Sequence, residues 1–546
     1  MLRLLCTSVL SLAVLAGCSS TPHDAPWSTS ELGQYHRKVS TDSPAAQRWF
    51  DQGLVLCFAF DHEVARDSFA KAAEADPNCA MAYWGRAYAF GPHINNPAMD
   101  EDSSRNAVEE INKALARLEH ASPVERDLIE ALAKRYAWPA PEDRRELDVA
   151  YSEAMREVAR KHPGDDDVAT LFAESLMDLR PWDLWSAEGE PRPETPEVIA
   201  ELERVLARTP DHPGAAHFFI HTMEASPEPQ RAVPAANMLR KRVPGSSHLV
   251  HMPAHIDIRV GNYVGAIEAN RAATRADRKR VERAGAGGFY AIYRAHNYHF
   301  LMWSAMFDGQ RAVALRAARD VVEQMPMDVV REMPQFLEGF LASPYHAMVR
   351  FGMWNEILEE PQPSDELFGT LATWRYARAL ALGALGRVDE AAAEQRLFDA
   401  ACERVPEDYT VGNNTYRAVL AVARDMVAGE IAYRRGEFDA AFAHLRSAVA
   451  KDDALRYDEP WGWVQPARHA LGALLLEQGR LEEAEQVYRT DLARHPSNGW
   501  SLHGLAECLR RTGRDSEARK LDAAFRKAWA RSDIALRASC FCARGA

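Results

Sequence analysis

A chain of 546 residues is too long for one compact core and calls for several domains or a repeat array. Hydrophobic residues make up 47% and charged residues 26%, and 30 Gly and 30 Pro exclude collagen-like and low-complexity classes. With 65 Lys+Arg against 79 Asp+Glu the net charge is −14, which argues against a nucleic-acid partner, and eight Cys are too few for a disulfide scaffold.

Arg3 opens a short basic region, and residues 4 to 16 form an apolar run of 13. That run is too short to span a bilayer but suits the core of a signal peptide. It ends in Leu15-Ala16-Gly17-Cys18, which resembles the bacterial lipobox. The resemblance implies lipidation of Cys18, and Ser19 after it resembles the outer-membrane sorting pattern of Gram-negative lipoproteins. The expected location is therefore the cell envelope, with the membrane as a partner through acyl chains on Cys18. Residues 19 to 44 are rich in Ser, Thr and Pro and read as a flexible tether. No second apolar run of about 18 residues follows.

From residue 45 the chain becomes helically periodic. The repeat is clearest near the end, where residues 465 to 498 align with 499 to 532. Leu471-Gly472 meets Leu505-Ala506, Gly479 meets Gly513, and Ala484 meets Ala518, always at an offset of 34. Each unit reads as a helix, a glycine turn and a second helix, with small residues where the two helices approach. This resembles the tetratricopeptide repeat. Trp49, Gly53, Ala65, Phe69, Ala72 and Pro77 fall on its signature positions, and Gly309, Ala314 and Pro326 fit another unit. Gly386 with Ala391, and Gly436 with Ala441, fit two more. The implied fold is all-α, a right-handed α-solenoid of helix pairs with a concave groove. The N-terminal array is 45–212, with poorly matching insertions around Gly91 to Ser104 and Trp182 to Pro196. Central units span 213–330, a C-terminal array 331–532 and a frayed tail 533–546.

The central units carry histidines in register. His217 and His221, then His248, His251 and His255, then His296 and His299 form three clusters at helical spacing. Relative to the turns at Pro227, Gly261 and Gly309, His221 and His255 lie six residues before the turn. His217, His251 and His299 lie ten before, and His248 and His296 thirteen before. In the family these positions of the first helix line the concave groove, so the clusters should converge on one patch. Imidazole suits Zn, Cu and Fe. Glu224, three residues after His221, is a candidate fourth ligand, orienting acceptor or general base, with Asp257 weaker and Asn297 an orienting partner. Pro253, inside the second cluster, should bend its helix.

The string His-x-x-His-Met-Pro-x-His, with Cys79 to Gly85 and Tyr457 to Trp461, resembles a group of large bacterial tetratricopeptide proteins. That resemblance implies architecture only. Cys57 and Cys79 should not pair, because their axial offset is roughly 16 Å against the 4.4–6.8 Å of a disulfide. Cys540 and Cys542 form a local disulfide, hold a soft metal or lie in the frayed tail. No phosphate loop, dinucleotide fingerprint or nucleophile elbow occurs. The leading expectation is a lipid-anchored array whose groove binds a transition metal (Zn, Cu or Fe). The same groove without metal is a scaffold for a protein or peptide partner. A third reading makes the chain a metal-dependent enzyme with Glu224 as base.

Overall fold

Two glycines and one phenylalanine set the spacing of the first repeat. Phe69, on the helix His62–Ala75, lies between Gly53 of the helix Pro44–Cys57 and Gly85 of the helix Ala80–Phe90. A Cβ at either glycine would meet the Phe69 ring, so only glycine lets three helices close around one aromatic side chain. Tyr488 does the same between Gly472 and Gly504 near the other end of the array. These wedges show why a small residue recurs in the first helix of a unit.

The computed structural model describes residues 26–543. It is a right-handed α-solenoid of antiparallel helix pairs, and among the described residues the only sheet is a ladder of Thr410–Val411 with Asn414–Thr415. The central pairs are Pro213–Glu224 with Val233–Arg242, then Ser247–His251 and Pro253–Arg259 with Tyr263–Ala284, then Tyr290–Phe307 with Arg311–Gln324. Pro253 divides the middle first helix into two segments, because it has no N–H to continue the ladder. Among the described residues no helix is long and apolar enough to cross a membrane. The lipobox, Cys18 and the signal segment lie outside the described residues.

Two expectations about the termini are corrected. Residues 26–44 do not form a loose tether. Arg37 pairs with Asp165 and Asp167 at 2.8 Å, Val39 is buried, and the Gly245 N–H donates to the Glu31 carbonyl at 2.7 Å. The Ser/Thr/Pro composition concealed these few anchoring side chains. The C-terminal segment is not frayed either. Asp533 accepts from the backbone N–H groups of Arg311 and Ala312, Phe541 packs on Trp500, and Ser539 is buried. Cys540 and Cys542 form a disulfide, while Cys57 and Cys79 are separate buried thiols.

The C-terminal units fold back onto the middle of the array. Tyr263 donates to the Pro496 carbonyl at 3.0 Å, Trp500 donates to the Met306 carbonyl at 2.9 Å, and Arg531 pairs with Asp308 at 2.8 Å. Trp461 stacks on Trp303 with ring centroids 5.1 Å apart. From the N-terminal side, Arg280 reaches Asp61 and Glu63. The central units are thus enclosed from both directions.

Gly261 tests this closure. Gly261 and Gly386 both have φ of +77°, but a Cβ at Gly261 would strike the Pro496 carbonyl, whereas at Gly386 it would meet nothing within 4 Å. Gly386→Ala should cost about 1–2 kcal/mol for its left-handed backbone alone. Gly261→Ala should cost more, by at least about 1 kcal/mol of steric conflict. Urea denaturation followed by circular dichroism compares the two; equal losses would mean that the Gly261–Pro496 contact contributes nothing.

Candidate metal centre

The three first helices of the central units bring six of the seven histidines together. His217 and His221 come from Pro213–Glu224, His248 and His251 from Ser247–His251, His255 from Pro253–Arg259 and His296 from Tyr290–Phe307. Their ligand atoms fall into two triads, His217/His221/His248 and His251/His255/His296, with the atoms of each triad within 4.8 Å of one another. A third grouping, His221/Glu224/His255, lies between them. His299 joins none of these groups; its ring meets Phe340 edge-on at 5.4 Å.

The expected open groove is absent at this patch, and this corrects the sequence reading. His217, His221, His248, His251, His255 and Glu224 each expose 4% or less of their surface. Phe60 covers one side, 4.6 Å from the His217 ring and 5.7 Å from that of His248. Glu459, from the loop following the helix Phe438–Ala454, closes the other side against His255. That loop is held in place by Asn414, whose side chain bonds both the N–H and the carbonyl of Arg456, and by Asp458, which accepts from the Asn413 N–H.

Four of the rings turn Nδ1 toward an oxygen, while Nδ1 of His248 is buried without a partner. His217 Nδ1 lies 2.6 Å from the Phe58 carbonyl, and His251 Nδ1 lies 2.7 Å from Asn270 Oδ1. The amide of Asn270 itself donates to the Ala266 carbonyl, which fixes its oxygen toward the ring. Glu224 accepts from both neighbouring clusters, with Oε1 2.9 Å from His221 Nδ1 and Oε2 2.5 Å from His255 Nδ1. A nitrogen facing a carbonyl or a fixed amide oxygen carries the hydrogen, so in His217 and His251 the opposite nitrogen presents a lone pair. His217 Nε2 then faces His248 Nε2 at 3.0 Å, and His251 Nε2 faces His255 Nε2 at 2.6 Å. His221 Nε2 is buried without a hydrogen-bond partner.

Burial also decides the charge states. It holds His221 at about 3 and His251 at about 4, and it pulls His217, His248, His255 and His296 well below free imidazole. These are neutral rings, the form that binds metal. Glu224 and Glu459 are pushed well above the usual carboxylate range, first by burial and then, for Glu459, by the charge of Glu224.

Other expected partners serve elsewhere. Asp257 pairs with Arg240 and accepts from Asn262 at 2.8 Å, and Asn297 donates to Ser247 and Asp277 at 2.9 Å. Sequence reasoning missed Glu459, Asn270 and the Phe58 carbonyl as parts of the site. The segment Tyr457 to Trp461 had stood out as a motif, but nothing in its spacing connects it to residues some 200 positions earlier. His93 was missed as well; it stacks on Phe60 at 4.3 Å and sits in the poorly matching insertion.

Comparison with known proteins supports the fold alone. The tetratricopeptide repeat family model matches residues 475–524. No curated protein matches the chain in sequence. Among solved structures, the human IFIT1 dimer with m7Gppp-AAAA is 11% identical with a TM-score of 0.35, covering 89% of this chain and 91% of that one. Yeast Tom70 is 14% identical with a TM-score of 0.27, covering 89% and 90%. The APC/C hetero-tetramer Cut9-Hcn1 is 12% identical with a TM-score of 0.28, covering 90% of each chain. At these values they carry nothing about ligands.

Buried neutral histidine has a measurable signature outside the triads. His346 packs against Trp463 and is held at about 4 by burial. Its folded pKa lies below the 6.5 of a free ring, so the unfolded chain binds the extra proton between those values. The stability it contributes is present above about pH 6.5 and is lost as pH falls toward 4, at up to about 1.4 kcal/mol per pH unit. Buried carboxyls such as Asp452, pushed up to about 7, act in the opposite sense, so the comparison must be with a variant. Relative to His346→Phe, the wild type should lose stability between pH 6.5 and 4 in denaturation curves; a constant difference would mean that the folded ring titrates as it does in the unfolded chain.

Proposed function

We propose that the chain is a metal-binding tetratricopeptide array whose central, buried histidines hold a transition metal. The observation that carries this reading is the gathering of six imidazoles into two triads, the ligand atoms of each within 4.8 Å of one another, with Nδ1 of His217 and of His251 held by fixed oxygens. A donor set of imidazoles backed by a carboxylate and an amide oxygen is the arrangement that orients metal-ligating histidine. Imidazole favours Zn, Cu, Fe or Ni over the harder cations.

Both Glu224 oxygens are engaged by ring nitrogens, which supports an orienting role over that of a general base. The surfaces away from the centre remain available for the protein contacts typical of such repeats. We further propose, from the sequence at Cys18, that the mature chain is lipid-anchored in the cell envelope. Labelled fatty acid should be incorporated by the wild type and not by Cys18→Ser; equal labelling of both would remove the anchor.

Purified protein should contain Zn, Cu or Fe, or take one up after chelation. At free metal about 100-fold above Kd, mass action adds about 2.7 kcal/mol of stability, visible as a rise in melting temperature. His221→Ala/His251→Ala should keep its helical circular dichroism and lose both metal and thermal gain. A wild type that holds no metal, gains no stability from Zn(II), Cu(II) or Fe(II), and matches the double variant would leave a metal-free scaffold as the function.

A further inference from the structure

We infer that the centre is built for two transition-metal ions, one on His217, His221 and His248 and one on His251, His255 and His296, with Glu224 and Glu459 as the carboxylates behind the rings. This rests on the metal-binding reading above and deepens it by fixing the number of ions and the division of ligands.

The division follows from how the rings are pinned. His221 turns Nδ1 to Glu224, which leaves Nε2 for the side occupied by His217 and His248. His255 turns Nδ1 to the opposite oxygen of the same carboxylate, which leaves Nε2 for the side occupied by His251. Glu224 therefore stands between two sets of ring nitrogens that face away from it. A Zn–N bond is about 2.0–2.1 Å, so two ligands of one ion lie no more than about 4.2 Å apart. Among the described residues the candidate groups gather three ligands each and do not merge into a larger one. Six imidazoles held in two triads thus match two ions, each with three nitrogens.

Charge points the same way. Two divalent ions in a largely buried site need anions beside them. Glu224 and Glu459 are two carboxyls in contact with these rings, and Glu459 is delivered from a distant unit of the array. Asn270 and the Phe58 carbonyl pin one ring in each triad from behind. Each triad therefore has its own orienting acceptor as well as a share in Glu224.

The competing grouping, His221/Glu224/His255, would place one ion on the two Nδ1 atoms. It would displace the hydrogens these rings now donate to Glu224 and leave the facing Nε2 pair of His251 and His255 uncompensated.

Titration of chelated wild-type protein with Co(II), followed by its visible absorption and by metal analysis after gel filtration, tests the assignment. The expected break lies at two equivalents per chain. His217→Ala/His248→Ala and His251→Ala/His296→Ala should each retain one equivalent, with Co(II) spectra that differ between them. A wild-type break at one equivalent overturns the two-ion centre while leaving metal binding in place. If that single ion also survives both double variants, it belongs to the Glu224 grouping. No uptake of Co(II), Zn(II) or Cu(II) at all overturns the metal-binding reading with it. The wild-type break point decides the number of ions even if a double variant fails to fold, and helical circular dichroism identifies such a variant.

Discussion

Six imidazoles meeting in a water-poor interior are the constraint on which the rest of the central structure depends. A buried ring must be neutral, and a neutral ring has one N–H and one lone pair to satisfy. The protein meets the N–H side with fixed acceptors: the Phe58 carbonyl, the Asn270 amide oxygen and the carboxylate of Glu224. The opposite nitrogens face inward, ring against ring. An arrangement that satisfied only packing would alternate donors and acceptors around such a cluster. Pinning the outer nitrogens and gathering the inner ones is costly without a cation and favourable with one, which is why the polar atoms behind the rings matter as much as the rings.

The solenoid makes this convergence possible. Successive first helices stand side by side, so a residue repeated at one register position forms a row across units. His217, His251 and His221, His255 are such rows, and the thirteenth position before the turn adds His248 and His296. Pro253 modifies the row by dividing the middle helix between His251 and His255. With Met252 joining the two segments, the ring of His255 still reaches that of His251. Phe69 and Tyr488, wedged between paired glycines, show the same packing logic at either end of the array.

Much of this was legible in the sequence. The 34-residue offset gave the helix pairs because glycine and alanine recur where helices touch, and the histidine register gave the convergence of six rings. Three things were not legible, each for a physical reason. His299 shares its register with His217 and His251 but meets Phe340, because the helices following Gln324 are short and irregular and the stacking changes there. Residues 26–44 have a linker's composition, yet a few side chains such as Arg37 hold them to the array. Glu459 reaches the site through superhelical closure, a property of curvature summed over many units that no local pattern records.

That closure changes what the central face of the array can do. A tetratricopeptide groove that takes a peptide must keep its inner positions open to solvent. Here the inner positions of the central units are covered by Phe60 from one side and by the Asp458–Glu459 loop from the other. The covering loop is itself anchored by Asn413 and Asn414 and by the Trp461–Trp303 stack. It is therefore a built part of the centre, and it brings a carboxylate. An extended partner would have to displace both covers and strand six imidazoles, so protein contacts belong to other faces of the array. The central units are better described as the hub where the two halves of the chain meet around a common set of imidazoles and carboxyls. Loading that hub would fasten the C-terminal half to the middle through Glu459, His255 and Glu224, joining metal occupancy to the curvature of the whole solenoid.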